Sequence, residues 1–214
     1  MRKVFLSTML LGDKKPTQYV SHDFAVDGKN YDFPLSYILD GAIEEGDHIC
    51  VVTAVNHGKE GTTNKAEENY LAYQEEVKQI VTNRKVDLEF VEIPIPAELN
   101  DHSSSSIFNA FFKKITEQIQ DDDRLYCDFS FNLKPYSISM FVALAYGAKA
   151  VNDVKVENLI YAQKFTGAEK DGQRVDTSCI YDITGLFYLN ELASHAEPGQ
   201  REGMDELLKF IINE

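Results

Sequence analysis

The sequence predicts an α/β fold: a mainly parallel β-sheet with helices on both faces. Two observations carry this expectation. Short apolar, β-branched runs alternate along the chain with amphipathic segments of helical period. Connections of that length are what parallel strands require, because a crossover must carry the chain back to the start of the next strand.

The elements follow in order. Lys3 to Thr8 (KVFLST) reads as a buried first strand that ends in hydroxyl residues and leaves into a loop holding Gly12. Tyr19 to Phe33 reads as a hairpin turning at Asp27-Gly28, followed by a helix from about Leu35 to Ala42. His48 to Ala54 (HICVVTA) is an apolar strand. Lys65 to Thr82 places Ala66, Tyr70, Tyr73, Val77, Ile80 and Val81 at helical spacing, and Asp87 to Ile93 is the next strand.

Ser105 to Ile119 is a helix whose stripe is Ile107, Phe108, Phe111, Phe112, Ile115 and Ile119, behind a cluster of serines that reads as a cap. Arg124 to Ser130 (RLYCDFS) is a strand, Tyr136 to Ala148 a helix and Val156 to Phe165 a strand. Leu159 to Phe165 and Val175 to Ile183 flank Asp171-Gly172, the signal of a second hairpin. Leu186 to His195 and Met204 to Ile212 are short helices, with Pro198-Gly199 between them.

A chain of 214 residues fits one domain, residues 1–195, with a short helical extension over 196–214. Apolar residues at 43% and charged residues at 26% exclude a disordered or fibrous chain. With 21 Lys and Arg against 35 Asp and Glu, the net charge of -14 disfavours duplex nucleic acid and anionic membranes, so an anionic ligand needs a local exception. No apolar run approaches a bilayer span, and the stretch after Met1-Arg2-Lys3 is too short for a signal peptide. A cytoplasmic protein is expected. Cys50, Cys127 and Cys179 are odd in number and scattered, as buried free thiols are.

Open parallel sheets bind ligands beyond the carboxyl ends of their strands, at the switch point of the topology. That directs attention to Ser7–Tyr19 and Asp128–Tyr136. The first segment supplies Ser7, Thr8, Gly12, Lys14 and Lys15, a cationic, hydroxyl-rich loop. The second supplies Asp128, Ser130, Asn132, Leu133 and Lys134 before Pro135, where the amides of a helix start favour an anion. Spacing alone favours a plainer reading, with Lys134 a solvated loop lysine, Ser130 a helix cap and Asp128 a turn-maker. The chain has no G-x-G-x-x-G, P-loop, G-x-S-x-G or H-E-x-x-H motif, and its five histidines lack metal-ligand spacing. No cofactor or metal is expected.

The two segments together, over about residues 2 to 190, resemble the CRISPR-associated Rossmann-fold (CARF) domains, the cyclic oligoadenylate sensors of type III CRISPR defence. Gly12, Lys15, Pro16 and Tyr19 are similar to that family's G-x-x-K-P-x-x-Y stretch, and Asp128, Phe129, Ser130 and Lys134 to its D-[apolar]-[TS]-x-x-x-[KR] element. The chain departs from the family at Phe131 and Asn132, where glycines are common, and at Met9, Leu10 and Leu11, where small residues are common. The resemblance implies a Rossmann-like fold and a cyclic oligoadenylate ligand, cyclic tetra-adenylate favoured. It implies ligand contacts from Ser7, Thr8, Gly12, Lys15, Asp128, Ser130, Asn132, Leu133 and Lys134.

Because such a ring has even symmetry and one pocket cannot surround it, two copies related by a two-fold axis are expected to share it in a homodimer. Sensors of this type are usually joined to a C-terminal effector, for which 196–214 is too short. An alternative is a metal-independent ring nuclease, in which Lys134 and Ser7 would stabilise attack of a ribose 2'-oxygen on the adjoining phosphate. A different nucleotide-binding protein with a Rossmann-like sheet is a further alternative.

Overall fold

The first apolar run becomes β1 (Arg2–Thr8), in which every residue after Arg2 is buried. The computed structural model describes residues 1–14, 19–26, 29–58, 64–95, 105–131, 133–165, 169–170, 173–174, 177–197 and 199–212. After β1 come β2 (Tyr19–Val20), α1 (Pro34–Ala42), β3 (His48–Asn56), α2 (Lys65–Val81) and β4 (Asp87–Ile95). The chain continues through α3 (Ser106–Thr116), β5 (Arg124–Asp128), α4 (Lys134–Ala150) and β6 (Lys155–Phe165). It closes with β7 (Glu169–Lys170), β8 (Gln173–Arg174), β9 (Thr177–Asp182), α5 (Thr184–Ser194) and α6 (Arg201–Ile212).

Among the described residues seven strands form one sheet in the order β2-β9-β6-β5-β1-β3-β4, and β7 pairs with β8 in a separate ribbon. Every neighbouring pair in the large sheet is parallel except β6 and β9. The expected α/β class is therefore borne out. Two apolar layers cover the sheet. On one face Leu35, Leu39, Tyr73 and Val77 of α1 and α2 pack over Phe5, Val51 and Tyr126. On the other, Phe111, Ile115, Tyr136, Met140 and Leu144 of α3 and α4 pack over Val4, Leu6, Val52 and Leu125. Alternate strand residues feed opposite layers, as the pleat requires.

Local chemistry sets the helix starts. Asn64 accepts from the Glu67 N–H while the Glu67 carboxylate accepts from the Asn64 N–H, a capping box that begins α2. At α1 the cap comes from another element. Glu76 of α2 accepts from the Asp32 N–H at 2.6 Å, the Phe33 N–H at 3.3 Å and the Ser36 hydroxyl at 2.5 Å, and burial raises its pKa. The segment after α3 packs closely on α4 at Gly147, where an added Cβ would stand 2.7 Å from Ile119 Cδ1.

Three local expectations are corrected. Tyr19–Phe33 is no hairpin: Tyr19 and Val20 pair in parallel with Ser178 and Cys179 of β9, and the other described residues up to Phe33 form no strand. Their apolar and aromatic side chains are used differently, Tyr19 and Tyr31 meeting the Tyr37 ring edge-on while Val26 and Phe33 sink into the core with α1. The turn at Asp27-Gly28 lies outside the described residues. Ser105 makes no side-chain cap bond to α3. Lys134 does not precede its helix but opens it, with Pro135 next and Leu133 as the N-cap residue.

The C-terminal hairpin forms between β6 and β9, although its turn at Asp171-Gly172 lies outside the described residues. The three cysteines are free, Cys50 and Cys127 buried and Cys179 half-buried. Among the described residues no helix is long and apolar enough to cross a membrane.

Candidate functional site

The chain leaves β1 for β3 on one side, and after β4 it returns to place β5 on the other side of β1. The switch point of the sheet therefore lies between β1 and β5, and their carboxyl ends are the expected ligand edge. Connections leave it toward opposite faces, to α1 on one and α4 on the other. Ser7 stands in register with Asp128 of β5 and with Thr53 of β3. These three form a row, one step beyond Tyr126, Phe5 and Val51, on the face covered by α1 and α2.

The row is buried: Asp128 is 2% exposed, Ser7 5% and Thr53 0%, and Tyr73 descends on it from α2 at 1%. Asp128 accepts from the Ser130 N–H at 2.8 Å and from the Ser130 hydroxyl, whose oxygen accepts in turn from the Ala162 N–H at 2.7 Å. Burial pushes the Asp128 carboxyl up to about 6, and the two bonds from Ser130 only partly oppose that. The hydroxyls of Ser7, Thr53 and Tyr73 have no hydrogen-bond partner of normal geometry. Ser7 nevertheless lies near enough to the phenol to offset slightly the strong upward push of burial on Tyr73.

Thr8 ends β1 and donates at 2.7 Å to the carbonyl of Phe131, tying the strand to the loop that leads into α4. Between these elements lies a closed crevice with no room for a water molecule, lined by Ser7, Thr8, Met9, Phe33, Leu35, Asp128 and Phe131 below Tyr73. A second hollow of about 120 Å³ lies between the end of β4, α3 and Tyr136 of α4, lined mostly by apolar groups, with Lys114 among its lining residues. A ring of four nucleotides is larger than the drug-sized ligands that pockets of this scale enclose.

The remaining expected residues surround the cleft or lie apart from it. The carbonyls of Leu10 and Gly12 accept from the amide of Asn69, at 2.9 and 2.8 Å, so α2 holds the loop after β1. Lys14 is paired with Asp32, which partly neutralises the expected cationic loop. Lys15 and Asn132 lie outside the described residues. Leu133 and Lys134 are exposed at the start of α4, with Lys134 on the first turn, where helix amides and dipole favour an anion. Structure thus gathers Ser7, Thr8, Asp128 and Ser130 inside the crevice and Leu133 and Lys134 beside it. Tyr73 and Thr53 join them unannounced, since in sequence they belong to a helical stripe and a strand run that read as core, and Asn69 is a single polar residue of the α2 segment that gave no signal.

Among the described residues no group of three or more histidine, cysteine or carboxylate side chains is placed to hold a metal ion. Fold and crevice define an α/β protein of the doubly wound, Rossmann-like class. The sequence matches no family model and no curated protein.

Proposed function

We propose that this chain is a cyclic oligoadenylate sensor of the CRISPR-associated Rossmann-fold type, acting in type III antiviral defence with its ligand bound across a homodimer. One observation carries this reading. The two segments that resemble the family end on adjacent strands, with Ser7 opposite Asp128 at the switch point and the first turn of α4 beside them. Ligand phosphates would face the α4 amides and Lys134, the local cationic exception in an acidic chain.

A second copy supplies the other half of the site. Ile138, Val142 and Tyr146 stand one turn apart on α4 at 63%, 49% and 50% exposure, an apolar stripe that starts next to Lys134. Pairing these stripes about a two-fold axis covers them and brings two crevices toward one ring. The reading is of binding, with the metal-independent ring nuclease kept as its alternative.

Thermal denaturation with a panel of nucleotides tests the reading. The tri-, tetra- or hexa-adenylate ring is expected to raise the melting temperature where AMP and NAD do not. A rise with AMP or NAD and none with any ring identifies a different nucleotide-binding protein.

A further inference from the structure

At the carboxyl edge of β3 and β4 one imidazole stands between two carboxylates. His57 Nδ1 lies 2.9 Å from Glu67 Oε1 on the first turn of α2, and His57 Nε2 lies 2.5 Å from Glu92 Oε1 on β4. A neutral imidazole carries one N–H, so in either tautomer its second nitrogen would set a lone pair against a carboxylate oxygen. Both contacts are hydrogen bonds only when the ring is an imidazolium. Burial opposes that charge, but the bonds to Glu92 and Glu67 outweigh it and raise the pKa of His57 above its ordinary 6.5. Of the other charged side chains on the first turn of α2 and on β4, Lys65 pairs with Asp13 and Glu68, Glu89 approaches His48, and Asp87 begins β4 at its far end. The Tyr70 phenol, on the next turn of α2, senses Glu92 as well.

Glu67 has a second bond to keep. Its Oε2 accepts from the Asn64 N–H at 2.6 Å in the capping box that starts α2, while the backbone N–H of His57 donates to the Ile95 carbonyl at 3.1 Å. Within the next turn of α2, Asn69 holds the carbonyls of Leu10 and Gly12 in the loop after β1. We infer that His57 is a proton-operated latch that ties the edge strand β4 to the start of α2 and, through Asn69, to the loop beside the crevice. With the proton in place both carboxylates are held, and when it leaves to solvent one of the two contacts opens. The ring and both carboxylates are partly exposed, so the proton comes and goes without unfolding. The latch needs no ligand and stands apart from the sensor reading.

The test follows the His57 ring and nearby amides by NMR from about pH 5.5 to about pH 9 in ligand-free wild type, His57→Gln and Glu92→Gln. The ring is expected to titrate above 6.5 in wild type and closer to that value in Glu92→Gln. The backbone amide signals of Asn64 and Glu67 and the side-chain amide of Asn69 are expected to move with the same midpoint in wild type and to lose that movement in His57→Gln. Stability follows the sign of a raised pKa: the contribution of His57 is present below about 6.5 and is lost as pH rises through the folded midpoint. Wild type is therefore expected to exceed His57→Gln in urea midpoint at about pH 6, by a margin that shrinks toward about pH 9. A ring that titrates at or below 6.5, a midpoint unchanged in Glu92→Gln, or a margin in urea independent of pH overturns the latch. An Asn69 amide that ignores the midpoint of the ring overturns its reach to the loop.

Discussion

Ser7 and Asp128 face each other in register across two adjacent parallel strands, at the switch point between β1 and β5. Both side chains are buried, and Asp128 accepts two hydrogen bonds, both from Ser130. The site is therefore layered, with a buried polar floor beneath a surface where α4 begins.

Lys134 belongs to the surface layer. It is exposed on the first turn of α4 and has no ion pair with a described residue, so Lys134→Ala is expected to leave the melting temperature unchanged. Losing a charge-assisted bond to phosphate costs about 1.5 to 3 kcal/mol, or roughly 10- to 150-fold in affinity for the ring. Calorimetry on the variant checks both halves, and parental affinity would make Lys134 a solvated lysine only.

Asp128 belongs to the floor, and its titration has a definite sign. Folding raises its pKa from 3.8 to about 6, so the folded chain holds this proton more tightly than the unfolded chain. Its contribution to stability therefore falls as pH rises from about 4 to about 6, by on the order of 3 kcal/mol, and stays at the lower level above. Asp128→Asn still accepts from the Ser130 N–H and never ionises. Urea denaturation of both proteins is expected to show the variant gaining on wild type between about pH 4 and pH 7. A stability difference that is the same at both ends of that range contradicts the burial argument.

The apolar stripe on α4 tests the dimer. Val142→Asp places a charge on a surface that is half-exposed in one chain and covered in a pair, so the single chain should fold while association fails. Light scattering is expected to give twice the 24.3 kDa chain mass for wild type and the single-chain mass for the variant, with ring affinity lost as well. A variant that remains dimeric moves the interface elsewhere.

Much of this arrangement was legible in the residues because strand and helix periods differ and the sheet is buried on both faces. The polar residues closing KVFLST and RLYCDFS marked the strand ends, and sheet topology made those ends neighbours. Other parts were hidden for physical reasons. The aromatic residues of 19–33 suit a strand pleat as well as they suit the layer under α1, and tertiary packing chose the latter. Tyr73 sits in a helical apolar stripe, where only the position of its hydroxyl over Ser7 distinguishes it from a core tyrosine. Pro135 fits the second helical position as well as the first, so α4 begins earlier than the apolar pattern suggests and takes Lys134 into its first turn.

The central claim is that two copies of this crevice hold one adenylate ring, and a calorimetric titration of wild type with cyclic tri-, tetra- and hexa-adenylate tests it most directly. The account predicts saturable heat with at least one of the rings, cyclic tetra-adenylate first among them, at a stoichiometry of one ring to two chains. Absence of heat with all three, at protein concentrations about 100 times a micromolar dissociation constant, or saturation at one ring per chain, would contradict it.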